Sequence, residues 1–397
     1  MYDINLVSPY SQLSPEDYRI PLGICYLSSV LKESGYHVKA QDLSFQKIDW
    51  NTKVLGVSVN TFQFGEAKKI VQEAKNKGII TIAGGPHTKI DPESLINIGF
   101  DYVLIGEGEV TLPKILDKII KHEVSENIIF GETVDLNTLP LPDFSWITNE
   151  CHYANDVPFN TSRGCPYQCT FCSSVHGKKW RYMSPEKMLE TYLYLTHFKK
   201  GIAFNDDAFS INIKRLEVFR DLVEKERIDK PPLILHSGIR VDHVSEEIMK
   251  ILCSLNLTNV GLGMEHTNDT VLKLCKKGIT FEDITKAIKI LQKFGFAREN
   301  TAFFLIMGLP GSSFQIDLEA KKWADKFPVY QSWCIATPFP TTELFNWVDE
   351  NARWLVDPRD YENYAGLYSR GIVMFETSGY PKKHRELMWK IVKRSRI

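Results

Sequence analysis

Short apolar segments alternate with amphipathic ones twice over in this chain, and a single proline-punctuated break separates the two series. Alternation of this kind makes parallel sheets, because strands that run the same way need a crossover between them and a helix is the usual crossover. The first series places strands at 4–8, 37–42, 54–60, 79–83 and 101–106, with helical stretches at 22–33, 65–76, 92–98 and 110–122. Five strands in this order make a doubly wound domain, whose ligands sit in the loops at the carboxyl ends of the strands. The second series has strands at 159–163, 201–205, 233–237, 260–265, 301–307 and 332–337, with helices at 214–226, 246–254, 281–294 and 314–327. Six strand–helix units fall short of the eight that close a barrel. The expected fold is therefore α/β, with domains at 1–130 and 159–337. Residues 131–158, with Leu139-Pro140-Leu141-Pro142, read as a linker, and an aromatic-rich, mainly helical cap covers 338–397.

At the end of the second domain's first strand stands Arg163-Gly164-Cys165-Pro166-Tyr167-Gln168-Cys169-Thr170-Phe171-Cys172. The spacing CxxxCxxC is too tight for three independent core cysteines and one ligand short of a closed four-cysteine site. It reads as a loop around a metal centre with one position open, and a cubane iron–sulfur cluster on three thiolates leaves one iron free in that way. Zinc would need a fourth ligand, for which Cys151 and His176 are the nearest candidates. The five other cysteines, Cys25, Cys151, Cys253, Cys275 and Cys334, lie among apolar residues and read as small buried hydrophobes.

Thr161-Ser162-Arg163-Gly164-Cys165 through Cys172, with Phe171 ahead of the third cysteine, resembles the signature of radical S-adenosylmethionine (SAM) enzymes. Ahead of it, Pro21-Leu22-Gly23, Gly84-Gly85-Pro86-His87 and Gly106-Glu107-Gly108-Glu109-Val110-Thr111 are similar to the cobalamin-binding domain fused to many such cores. The resemblance implies a Rossmann-like cobalamin domain, a partial (β/α)6 barrel and three cofactors: a 4Fe-4S cluster on Cys165, Cys169 and Cys172, SAM, and cobalamin. Cobalamin would lie against Ser8, Pro9, Asn60, Thr61, Gly84, Gly85, Pro86, His87, Glu107, Gly108 and Glu109. The DxHxxG motif that supplies a cobalt ligand in other cobalamin domains is absent, so the cofactor is expected base-off with no histidine on cobalt, His87 included.

For SAM, the resemblance points to Phe171, to Asp206 and Asp207, to Arg240 for its carboxylate or ribose, to Glu265 near its methionyl group, and to Ile306 and Met307 beside adenine. Asp206 and Asp207 could equally cap the following helix, and Glu265 could pair with a barrel lysine or arginine. Relatives commonly place a glutamate after the Gly-Leu-Pro-Gly of this region, where this chain has Ser312. The activity implied is methylation of an unactivated carbon, or of phosphorus, in a small molecule or natural product. A cyclase, oxidase or ring-contracting enzyme with the same cofactors is the alternative. Methylthiotransferases are disfavoured, because they carry three further cluster cysteines in the first domain, where residues 1–130 hold only Cys25.

Charge and composition narrow the partners. Lys+Arg 48 against Asp+Glu 49 gives a formal charge of -1, far from the basic excess of a nucleic-acid binder. No apolar run approaches a membrane span, and no basic segment leads into an apolar one at the start. A monomer in the cytoplasm is expected, fed by an external one-electron reductant such as flavodoxin or ferredoxin.

Overall fold

The computed structural model describes residues 1–11, 18–148, 151, 153, 155–366 and 371–393. The chain forms two units, one of Met1–Ala154 with Asp360–Gly366, the other of Asn155–Arg359 with Leu367–Ile397.

In the first unit, β1 (Tyr2–Ser8), β2 (Val38–Asp42), β3 (Thr52–Ser58), β4 (Ile80–Gly84), β5 (Tyr102–Ile105) and β6 (Ile128–Phe130) make one sheet in the order β2-β1-β3-β4-β5-β6. All pairings are parallel. Helices α1 (Leu22–Glu33), α2 (Phe64–Asn76), α3 (His87–Ile90), α4 (Pro92–Ile98) and α5 (Thr111–Ile120) are the crossovers. Ile4, Leu6, Val54, Ile82 and Leu104 pack with Ile24, Leu31, Leu112 and Leu116 in one core. Strand order reverses at β1, so the loops after β1 and β3 flank a crevice. The sixth strand was not expected from the sequence: it has three residues, and its Phe130 is largely exposed.

Of the segment read as a linker, residues 131–154 belong to this unit. Leu136, Leu139 and Phe144 are buried. Asp143 accepts from Ser28 Oγ at 2.5 Å and pairs with Lys32 at 2.7 Å, while Ser29 Oγ donates to the Leu141 carbonyl. Burial alone would raise the Asp143 carboxyl, but Lys32, Ser145 and Ser28 outweigh it and hold the group at about 2. The segment Asp360–Gly366, read from sequence as part of the cap, also packs here. Tyr361 is buried, and its hydroxyl donates to Asp91 at 2.7 Å.

The second unit holds β7 (Asp156–Phe159), the short antiparallel ribbon of β8 (Ser162–Arg163) and β9 (Arg181–Tyr182), β10 (Gly201–Phe204), β11 (Leu233–Arg240), β12 (Leu257–Glu265), β13 (Thr301–Met307) and β14 (Tyr330–Ile335). Six of these form a parallel sheet in simple succession, β14-β13-β12-β11-β10-β7, as expected for an open partial barrel. Helices α6 (Pro185–Thr196), α7 (Ile213–Lys225), α8 (Glu246–Ser254), α9 (Asp269–Leu274), α10 (Phe281–Lys293) and α11 (Phe314–Ala324) cover its outer face. Ser184 caps α6 by accepting from the Lys187 N–H, as the Ser-Pro-Glu sequence predicts. The first strand is Asp156–Phe159, earlier than the expected 159–163. Pairing stops at Phe159, because Asp206 takes both the backbone N–H and the hydroxyl of Thr161 and turns the chain into the ribbon. Pro158 is tolerated in β7 because β7 lies at the sheet edge.

Side-chain parity assigns the two faces of this sheet. Phe303 stacks on Trp323 and meets Phe327 edge-on beside α11, so Phe304 faces the barrel interior. A Cβ on Gly261 would overlap the Phe304 ring, and one on Gly238 would meet it at 2.8 Å, so both glycines lie on that inner face. Past β14 come α12 (Glu343–Asn351), a two-stranded ribbon of Arg353–Trp354 and Phe375–Glu376, and a helix at Lys382–Lys393. Tyr368 of the expected cap lies outside the described residues.

Candidate functional site

In the first unit, four loops meet at the carboxyl ends of β1, β3, β4 and β5. Gln63 Nε2 donates to the Pro9 carbonyl, the Val59 N–H to the Gly84 carbonyl, and the His87 N–H to the Val59 carbonyl. Asn60 caps a short turn by accepting from the Phe62 N–H. Glu107 accepts from the Val134 N–H, and Glu109 is buried. His87 is wholly buried, with Nδ1 at 3.0 Å from Thr61 Oγ1 and Nε2 at 3.0 Å from Ser94 Oγ. Both ring nitrogens therefore have partners. Burial lowers its pKa to about 4, so the ring is neutral at physiological pH.

The glycines of this region divide by function. At Gly85 (φ +87°) a Cβ would press on the Val59 backbone, so the chain itself needs the space. At Gly84 a Cβ would meet nothing within 4 Å. Open space at a strand end beside a switch point fits a flat ligand that approaches the backbone, which is the fit cobalamin requires.

In the second unit the cysteine loop is tied at its neck. Gly164 has φ +87°, and a Cβ there would overlap the Lys179 carbonyl, so no larger residue fits. Its N–H donates to Asp207 at 2.9 Å, while the Cys165 N–H donates to Gly177 and the Thr170 N–H to Cys275. Burial raises the thiols of Cys165 and Cys172; Asp207 and Cys169 raise Cys165 further, and Cys169 and Cys165 raise Cys172 further. Three thiols in one pinned loop fit a cluster held by three thiolates.

Several residues expected near SAM converge on this loop. Arg240 Nη1 lies 3.9 Å from Cys169 Sγ, its Nη2 donates to the Lys277 carbonyl at 2.8 Å, and its guanidinium stacks on Tyr167 with Cζ 3.5 Å from the ring centre. Lys277 Nζ then pairs with Glu265 at 2.8 Å, the alternative role the sequence allowed for that glutamate. Glu265 has φ +61° at a register shift between β12 and β13, an uncommon conformation for a non-glycine residue. Burial would lower the Lys277 ammonium, but the charges of Glu265 and Cys169 overcome it and leave the pKa raised. Ile306 is half-buried on the inner face, whereas Met307 is fully buried on the opposite, helix-facing side, away from the barrel interior. Phe171 is half-buried in the loop.

The acid pair after β10 splits between two tasks. Asp206 is buried and accepts from the Thr161 N–H, the Thr161 hydroxyl and the Ser162 hydroxyl, with Arg215 close by. It braces the entrance to the loop. Asp207 accepts from Gly164 and pairs with His176 at 3.0 Å. Burial would raise the Asp207 carboxyl, but His176 and the Gly164 N–H hold it below its ordinary value. Ser312, in place of the usual glutamate, donates to buried Asp317, which also binds His266 and the Gly308 N–H.

Sequence reasoning missed Lys277, Tyr167 and His243. The Lys276-Lys277-Gly278 run reads as an exposed turn, and only the fold brings Lys277 inward. His243 contacts the Tyr167 hydroxyl through Nε2 and Ser210 Oγ through Nδ1 at 2.7 Å, which fixes the tyrosine under Arg240.

Comparison with known proteins places these two sites in a family. Residues 159–320 match the radical SAM superfamily, and residues 14–116 match the B12 binding domain. A protein of Methanocaldococcus jannaschii, provisionally named a methylthiotransferase, is 32% identical over 367 residues, covering 83% of this chain and 77% of its own. An uncharacterized methyltransferase of Pyrococcus horikoshii is 29% identical over 370 residues, covering 83% and 79%. The radical SAM methyltransferase TsrM of Kitasatospora setae, solved with cobalamin and a 4Fe-4S cluster, has the same fold, with TM-score 0.74 at 17% identity over 94% of this chain and 87% of its own. Solved with tryptophan and a SAM analogue, it gives a TM-score of 0.76 at 17% identity over 98% and 88%.

Proposed function

Because this chain belongs to the cobalamin-dependent radical SAM enzymes, we propose that it transfers a methyl group to an unactivated carbon, or to phosphorus, of a small molecule or natural product. The observation that carries the reading is the pairing, in one chain, of a pinned three-thiol loop with a switch-point cradle. When bound, SAM on the cluster supplies a 5′-deoxyadenosyl radical and cobalamin supplies the methyl group. The chain's own residues position these groups. Cys165, Cys169 and Cys172 hold the cluster, and Asp207 and Asp206 keep their loop in place. Arg240 and the Glu265–Lys277 pair present charge to the polar end of SAM, and Ile306 lies beside its adenine.

Cobalamin is held base-off and without a protein ligand on cobalt, a reading supported by the complete occupation of the His87 ring. The absence from residues 1–130 of any cysteine besides Cys25 separates this chain from a methylthiotransferase reading. Among the described residues no helix is long and apolar enough to cross a membrane. The protein works as a cytoplasmic monomer that receives electrons one at a time from a flavodoxin or ferredoxin.

The test is the stoichiometry of SAM. With anaerobically reconstituted protein and candidate metabolites, each methylated product should appear with one S-adenosylhomocysteine and one 5′-deoxyadenosine. Turnover that yields deoxyadenosine, no S-adenosylhomocysteine and an unmethylated product would instead establish a cyclase or oxidase.

A further inference from the structure

The inner face of the barrel is nearly bare along one side. The register pairs Asp156 with Gly201 and Pro158 with Ala203, and Ala203 in turn with Ile234. Phe204, of opposite parity, packs on Phe219 of α7. Asp156, Gly201, Ala203 and Ile234 therefore share the inner face, where β10 contributes only a glycine and an alanine. Across that low strip, Asp156 Oδ2 reaches His236 Nε2 on β11 at 3.0 Å, two strands away.

His236 stands where β11 loses its regular pairing. Leu235 pairs with Val260 and Ile239 with Leu262, so three residues of β11, His236, Ser237 and Gly238, oppose one residue of β12. Bulges re-aim side chains and are over-represented next to active sites. This one has left polar groups without partners among the described residues. Asp156 is 6% exposed, yet its Oδ1 has no hydrogen-bond partner. A buried carboxylate oxygen left unsatisfied is costly and calls for an explanation. His236 Nδ1 has no protein partner, and the exposed Ser237 hydroxyl has none.

The chemistry of these atoms follows from the one bond that is made. Nε2 faces a carboxylate and so carries a proton, which it donates to Oδ2, the one acceptor already engaged. Asp156 Oδ1 is a second acceptor, and Ser237 can give or accept.

We infer that Asp156, His236 and Ser237 form a polar subsite inside the barrel that receives a hydrogen-bond-donating group of the substrate, an amine or a hydroxyl. The inference rests on the reading of the barrel as the place where substrate meets the radical. His236 acts there by orienting the substrate, not by taking part in SAM cleavage.

The test uses the reconstituted holoprotein with a matched pair of probes: ethanolamine, and its N-trimethylated O-methyl ether, which has no donor. Ligand-observed NMR should detect ethanolamine and not the capped analogue. His236→Phe and Asp156→Asn should each weaken ethanolamine binding about tenfold, the value of a charge-assisted hydrogen bond. Ser237→Ala, which leaves the histidine pair intact, should weaken it less. Iron content and substrate-free cleavage of SAM to 5′-deoxyadenosine should be unchanged in all three. Equal binding of both probes, no binding of ethanolamine, or binding indifferent to His236→Phe would overturn the subsite. Wild-type protein that takes up no cluster and cleaves no SAM would sink the underlying reading instead, and the two failures are separately visible.

Discussion

Each unit is built on six parallel strands, yet the two sheets leave room for a ligand in different places. In the first, strand order reverses at β1, and open space lies at a carboxyl-end loop, above Gly84. In the second, strands follow one another without reversal, Gly201 and Ala203 keep the inner face low along β10, and Gly238 and Gly261 make room for the Phe304 ring. A histidine in each unit shows the difference. His87 is wholly buried with both nitrogens engaged, so it is structural, whereas His236 has one nitrogen engaged and the other without a protein partner. Reversed strand order makes a site at the rim of a sheet; regular order with small inward residues makes one inside it.

The largest expected effect lies in the cysteine loop. Replacing Cys165, Cys169 and Cys172 together by Ala should remove all cluster iron and all SAM cleavage while the first unit still retains cobalamin, as measured by iron analysis and visible absorption. Stoichiometric zinc without iron in anaerobically prepared wild-type protein would break the assignment.

Next comes the pH dependence of His87. Its pKa is near 6.5 in the unfolded chain and about 4 in the fold. Between those values only the unfolded chain binds the proton, so stability falls as pH drops from 6.5 toward 4, by roughly 3 kcal/mol, and the loss saturates below that. Denaturant melts of wild type and His87→Gln across that window should show a slope in the first and a flatter line in the second. Parallel slopes would mean that the histidine is not buried as described.

A smaller effect separates the two kinds of glycine. Gly261→Val forces a side chain into the Phe304 ring and should cost about 1–3 kcal/mol of stability by overpacking. Gly84→Ala, with nothing in reach of the new methyl, should change stability by no more than about 0.5 kcal/mol yet weaken cobalamin retention. A Gly84→Ala variant that keeps cobalamin as well as wild type would show that the cradle lies elsewhere.

Much of this was legible in the sequence, for identifiable reasons. The barrel strands at 301–307 and the helix at 246–254 are read correctly because apolar periodicity is strong and Ser245 caps the helix start. The cysteine loop is legible because its spacing is short and local. β6 was missed because three residues, none of them buried, carry too little pattern, and β7 because Pro158 argues against a strand until its edge position is known. The bulge at His236–Gly238 and the Glu265–Lys277 pair depend on register between strands and on a residue 12 positions away, which no local window contains. His236 left one trace, a polar break in the apolar run Leu233-Ile234-Leu235.

The segment Asp360–Gly366 gives the molecule an order in time. Tyr361 closes over His87 and Phe64, with ring centres 4.6 and 5.2 Å away, but a ribosome reaches it only some 200 residues after Ala154. At roughly 5–20 residues per second, the first unit waits on the order of ten to forty seconds for its last piece. During that interval the residues around His87 lack their aromatic cover, so a nascent chain stalled in the barrel should be more open to protease at the loops after β3 and β4 than the finished protein.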